Sequence, residues 1–209
     1  MKRLKMSKTV EDLRNFYDEV ASCSGSNWQE SMYRTHEQQE RFHKTLEYIS
    51  NSANGGKALE LGSANGKMTT YISKMFDSVD AVEISSIAID NSPEIENVTY
   101  ICADATEFLE NTDEHYDMII ATEVLEHVLD FEKTFRLCQK RGDLIVVSMP
   151  ISEEINESGA FDSSLIGREK NAGDATGHLR IITPEELMSY FKDVIFTWNN
   201  GISVIVAGY

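Results

Sequence analysis

The sequence predicts an α/β protein built on a doubly wound, mainly parallel seven-stranded sheet with an N-terminal helical lid. Three observations carry this. The apolar runs KALEL, VDAVEI, VTYICA, YDMIIAT and DLIVVSM have the length and density of strands buried on both faces. The intervening GKMTTYISKMF and FEKTFRLCQK repeat apolar residues every three or four positions, as helices covering a sheet do. Strand and helix alternate, an order that calls for parallel pairing through helical crossovers.

In residues 1–50, Val10, Leu13, Phe16, Tyr17 and Val20, then Phe42, Leu46 and Ile49, stand at helical spacing with charge between them. They predict two or more amphipathic helices, the lid. The aromatic and polar segment Trp28–His36 between them either packs on the core or closes over a ligand. Residues 54–209 form the predicted core, with its five runs and the helices between them. After Pro150 the chain is polar and Gly-punctuated as far as Gly177, with no sustained period. A stretch this long is a substrate-loop candidate, residues 150–178, or is disordered. Thr183 as cap, Pro184 in the first turn and Glu185 and Glu186 at the dipole open a helix through Phe191. Strands at Val194–Thr197 and Ile202–Ala207 close the chain. No repeat or linker divides it, so its 209 residues predict one domain.

The formal net charge of -16, from 35 acidic against 19 basic residues, disfavours nucleic acid as a partner. Lys2, Arg3, Lys5 and Lys8, and the pair Lys140 and Arg141, are the candidate local basic patches, with solvated charge as the plainer reading. Cys23, Cys102 and Cys138 are odd in number and lack metal-ligand spacing, which fits a reducing compartment. There is no apolar signal-peptide core and no run of about 18 apolar residues, so a cytoplasmic protein without a membrane span is expected. Monomer and homodimer both stay open.

The strongest local signal is ALELGSANGKMT, a strand entering a glycine-containing turn and then a helix. Gly62 and Gly66 permit dihedrals and close ligand approach that a side chain would forbid. The third glycine of a dinucleotide fingerprint would fall at Lys67, and Glu60 ahead of the turn suits an ammonium group better than a phosphate. Glu83 ends VDAVEI about twenty residues on, where a carboxylate can accept from both hydroxyls of a ribose. Asp104 in ICADATEF either meets a base or caps the next helix.

In this order the three features resemble the class I S-adenosylmethionine-dependent methyltransferases, over residues 54–207. The resemblance implies a Rossmann-like methyltransferase fold with S-adenosylmethionine as cofactor. It places Glu60, Gly62, Ser63, Ala64 and Gly66 at the methionine part, Glu83 and Ile84 at the ribose, Asp104 and Ala105 beside the adenine, and Glu123 facing the cofactor. Ala64 departs from the glycine that is frequent there. EVLEHV, and GHLRIITPEEL at Gly177–Leu187, resemble the subgroup of ubiquinone-biosynthesis O-methyltransferases. A small-molecule acceptor is implied, a hydroxyl in the first place, with an amine or amino sugar as the alternative.

His127 falls just beyond the carboxyl end of the fourth strand and titrates near physiological pH, which makes it the candidate base. Packing under the lid is its competing role. Glu123, Glu126 and His127 can converge, with His178 arriving from the long loop, on a divalent metal ion of the manganese, iron or zinc type. That set resembles the metal-dependent small-RNA 2′-O-methyltransferases, although no basic RNA surface is visible. A non-catalytic S-adenosylmethionine-binding protein is the remaining alternative. His36, His43 and His115 have no comparable context.

Overall fold

A computed structural model describes residues 9–24, 35–150, 179, 182–201 and 203–209. Helices α1 (Val10–Ser24) and α2 (His36–Ser52) come first. Thr35 and Gln38 close α2 with a reciprocal capping box, which satisfies donors that the first turn leaves open. Then follow β1 (Lys57–Leu61), α3 (Thr69–Ile72), β2 (Ser78–Glu83), α4 (Ser86–Asp90), β3 (Val98–Cys102), α5 (Ala105–Asn111) and β4 (Tyr116–Thr122). The chain continues through α6 (Phe131–Arg141), β5 (Gly142–Pro150), α7 (Pro184–Ser189), β6 (Val194–Asn199) and β7 (Ser203–Gly208).

The seven strands form one sheet in the order β3-β2-β1-β4-β5-β7-β6. Pairing is parallel from β3 across to β5, as the alternating pattern predicts. β7 lies antiparallel between β5 and β6. The cause is local: β6 and β7 are joined by a short hairpin through Gly201 at φ 86°, and so short a connection cannot return a parallel strand. Strand order reverses between β1 and β4, so a crevice opens beyond their carboxyl ends.

Alternation along the strands sorts the core to two faces. Leu59, Leu61, Ile119, Ile145 and Val147 pack with Leu109 and Phe135 of α5 and α6. Ala58, Met118, Ile120 and Val146 pack with Phe42 and Ile49 of α2 and Ile72 of α3.

One predicted helix is much shorter than its apolar period. In GKMTTYISKMF only Thr69–Ile72 is helical, with turns on either side. At its end the Ser73 hydroxyl donates to the Thr70 carbonyl at 3.1 Å, and the Lys74 and Met75 amides turn to the Tyr71 and Ile72 carbonyls three residues back. Among the described residues no helix is long and apolar enough to cross a membrane. The predicted substrate loop lies outside the described residues from Ile151 onward.

Candidate active site

Where β1 ends, the chain takes three left-handed conformations in five residues: Gly62 at φ 72°, Ala64 at φ 47° and Gly66 at φ 78°. The Gly62 and Ser63 amides both donate to the Val82 carbonyl, at 2.8 and 3.1 Å, which ties the turn to β2. A side chain at Gly62 would put its Cβ 2.7 Å from Val124, and one at Gly66 would meet the Tyr100 hydroxyl at 2.5 Å. Both glycines are therefore required by packing as well as by dihedral angle. Ala64 carries a cost of about 1–2 kcal/mol for its left-handed backbone. Its amide donates to Glu83 Oε2 at 2.9 Å, so the neighbouring acid holds the strained residue in place.

Glu60 is 1% exposed and accepts from the Thr69 hydroxyl at 2.5 Å. Burial lifts its carboxyl to a pKa of about 7, the Glu83 charge pushes the same way, and the Thr69 hydrogen bond opposes them. Glu83 is likewise buried at the end of β2, where its two oxygens accept from the Ala64 and Ser85 amides, each at 2.9 Å. Burial raises this carboxyl too, against those amide hydrogen bonds. Ile84 follows, its carbonyl 3.7 Å from Cys102 Sγ. Asp104 caps α5 by accepting from the Thr106 and Glu107 amides at 2.9 and 3.0 Å. Both bonds fall on Oδ1, so capping does not consume Oδ2, and Ala105 starts the helix on the core side. The Ser63 hydroxyl is buried with no hydrogen-bond partner among the described residues, an arrangement that a ligand would explain. Glu60, Gly62, Ser63, Ala64, Gly66, Glu83, Ile84, Asp104 and Ala105 thus lie along the carboxyl ends of three adjacent strands.

Beyond β4, Glu123 has φ 54°, its amide donates to the Ser148 carbonyl at 2.8 Å, and Oε1 accepts from the Ser148 hydroxyl at 3.0 Å. Its Oε2 makes a buried ion pair with Arg41 of α2. Among the described residues this is the one ion pair of Arg41, whose guanidinium carries five donors. Sequence reasoning did not find Arg41. The available signal was an arginine next to Phe42 on the stripe that also buries Thr45 and Ile49.

His127 lies in a turn with Nε2 3.6 Å from Oε1 of the fully buried Glu126, and the Tyr17 ring of α1 meets it edge-on at 5.8 Å. The Leu179 amide donates to the Glu126 carbonyl at 2.8 Å, which anchors the chain re-entering the fold after the predicted loop. Tyr17, expected only as an apolar stripe residue, thus packs against the candidate base. Its neighbour Asp18 accepts from the Ser85 hydroxyl at 2.6 Å.

Among the described residues no group of three His, Cys, Asp or Glu side chains is arranged to hold a metal ion. His178 lies outside them. Glu123 is committed to the Arg41 cation, which a divalent ion would have to displace.

A family model described as a methyltransferase domain matches residues 33–197. No curated protein matches the sequence significantly. The N-methyltransferase NodS from Bradyrhizobium japonicum WM9, solved with S-adenosylhomocysteine, superposes with a TM-score of 0.69 at 13% identity, over 93% of this chain and 97% of its own. Magnesium protoporphyrin IX methyltransferase from Synechocystis PCC 6803, with S-adenosylhomocysteine bound, gives 0.69 at 11% identity, covering 95% and 98%. The [4+2]-cyclase SpnF gives 0.67 at 16% identity, covering 92% and 75%, so the shared fold does not by itself fix the reaction. The family match does more: it spans most of the chain and takes in the whole strand-end site, and the protein belongs to the methyltransferase domain family.

Proposed function

We propose that this methyltransferase moves the methyl group of S-adenosylmethionine to a hydroxyl of a small molecule. The observation that carries the proposal is the ordered row of buried acids Glu60, Glu83 and Asp104 around a turn of positive-φ residues. Each acid suits a different part of the cofactor: Glu60 its ammonium group, Glu83 its ribose hydroxyls and Asp104 its adenine. Arg41 offers donors for the cofactor's carboxylate, a match that guanidinium geometry favours.

In the reaction the acceptor oxygen bonds to the methyl carbon, the sulfur–carbon bond breaks with its electron pair left on sulfur, and the acceptor proton passes to a base. We assign that base to His127, whose imidazole stands beside the Glu126 carboxylate. Tyr17 of α1 lies edge-on against the same ring. Enclosure by α1 and α2 would supply orientation, a contribution worth up to ~7–11 kcal/mol in well-aligned systems. EVLEHV and the late GHLRIITPEEL segment resemble the ubiquinone-biosynthesis O-methyltransferases, and the same motifs occur in methyltransferases acting on sugars, aromatics and other small acceptors.

The test is release of S-adenosylhomocysteine from S-adenosylmethionine with a panel of phenols, hydroxylated sugars and amino sugars, for wild type and His127→Ala. Turnover with hydroxyl acceptors that drops in the variant is expected. Turnover with amines alone would move the acceptor atom to nitrogen. Binding without turnover on any acceptor would leave a cofactor-binding protein, and no binding would sink the proposal. Titrating manganese or zinc into the same protein checks the Glu123, Glu126, His127 and His178 set, since an ion that binds there must compete with Arg41.

A further inference from the structure

α1 does more than cover the crevice. Two neighbouring residues on it reach two different strand ends: Tyr17 meets His127 beyond β4, and Asp18 takes the Ser85 hydroxyl beyond β2. The second contact is the informative one, because Ser85 is not a peripheral residue. Its amide donates to Glu83 Oε1 at 2.9 Å, and its hydroxyl accepts from the Ala88 amide at 3.2 Å as the cap of α4. The other Glu83 oxygen holds Ala64 of the glycine turn. One continuous chain of hydrogen bonds thus runs from α1 through Asp18, Ser85 and Glu83 to the turn.

We propose that Asp18 is a positioning residue for the ribose: by holding Ser85 it sets the orientation of the Glu83 carboxylate, and so couples closure of α1 to a cofactor that carries both ribose hydroxyls. The inference rests on the cofactor reading above. It has a physical basis in the site itself. A carboxylate with a fixed amide on each oxygen has a defined plane, and two vicinal hydroxyls can be accepted together only from a narrow range of such planes. Ser85 fixes one of those two amides. Asp18 is half-buried, so its 2.6 Å charge-assisted bond to the serine is sheltered from water on one side.

The experiment compares binding of S-adenosylhomocysteine with binding of its 2′-deoxy analogue, by calorimetry, in wild type, Asp18→Ala and Asp18→Asn. Wild type should prefer the ribose form. Asp18→Ala should weaken S-adenosylhomocysteine on the order of tenfold while barely moving the deoxy analogue, so that the preference collapses. Asp18→Asn keeps an acceptor for the serine hydroxyl and should restore most of it. A purely structural role would weaken both ligands alike and keep their ratio, and that outcome, or no change in either, overturns the proposal. If Asp18→Ala does not fold, Asp18→Asn and Asp18→Leu decide: a preference kept in Asp18→Asn and lost in Asp18→Leu supports the chain of bonds, and the same preference in both overturns it. A wild type that binds S-adenosylhomocysteine without preferring it over the deoxy form overturns the coupling and the ribose assignment of Glu83, while leaving cofactor binding intact. A wild type that binds neither overturns the cofactor reading as well.

Discussion

The two ends of the sheet carry acids in opposite ways. At the amino ends of the strands, Asp77 accepts from the Gly56 amide at 2.9 Å, Asp117 from the Lys57 amide at 2.7 Å, and Asp80 from the Tyr116 hydroxyl at 2.9 Å. The Lys57 ammonium stands 2.9 Å from Asp80 and 3.0 Å from Glu114, and His115 pairs with Asp143 near solvent. These acids have protein partners and water. At the carboxyl ends, Glu60 and Glu83 are desolvated until both resist ionisation, and Ala64 and Glu123 sit in left-handed backbone. Charge burial and strain together mark a place shaped for something other than stability, and the amino end shows the same residue types used as staples.

The largest expected effect is at Arg41. Arg41→Met leaves Glu123 buried beside Ser148 without its cation, a loss of about 3–5 kcal/mol in urea denaturation. The double variant with Glu123→Gln should recover much of that loss. Recovery of none would mean that Arg41 stabilises by packing alone.

Next comes Glu83→Gln, which removes the carboxylate proposed to meet the ribose. Its affinity for S-adenosylhomocysteine should fall tenfold to about a hundredfold in calorimetry, and its unfolding stability should fall by about 1–3 kcal/mol because the new amide nitrogen faces the Ala64 or the Ser85 amide. Asp80→Asn at the other end should lower stability alone and leave affinity unchanged. If Asp80→Asn weakened the cofactor as well, the contrast between the ends would fail.

A smaller effect follows pH. The Glu60 carboxyl is raised from 4.5 to about 7 by burial, so below that value the unliganded site is mostly protonated and neutral. An ammonium ligand prefers the carboxylate, so affinity for S-adenosylhomocysteine should rise with pH towards 7 and level off above it. The unliganded fold has the opposite slope. Between 4.5 and 7 the folded chain binds more protons at this site than the unfolded chain, so its stability contribution is full at low pH and declines as pH rises through the window. Glu60→Gln should flatten both curves, and a slope that survives in it would assign the titration elsewhere.

The smallest effect belongs to Lys57→Met. Its ion pairs are partly open to water, so the cost should stay within about 1 kcal/mol by thermal denaturation, with no change in cofactor affinity. A loss of affinity would show that the amino end communicates with the site.

Much of the strand-end half of the site was legible in the chain. The runs KALEL, VDAVEI, YDMIIAT and DLIVVSM become β1, β2, β4 and β5 because a strand largely buried on both faces must be mainly apolar, whereas VTYICA becomes the partly exposed edge strand β3. Gly62 and Gly66 were legible because a left-handed turn restricts the residues that make it, and Glu83 and Asp104 because they stand where strands end. GKMTTYISKMF misled through the same locality, since apolar spacing does not register the Ser73 hydroxyl that takes the Thr70 carbonyl where the helix ends.

What the tertiary structure alone decided is which distant polar groups meet in the dark. Arg41 reached Glu123, Asp18 reached Ser85, and Tyr17 settled on His127 only once α1 and α2 had packed over the carboxyl ends of β2 and β4. The amino-acid order specifies the helices, the strands and the glycine turn, because dihedral preference and apolar period are short-range. Partnering of buried charges is not short-range. It depends on how far water is excluded between segments far apart in the chain, and that exclusion exists only after they have come together.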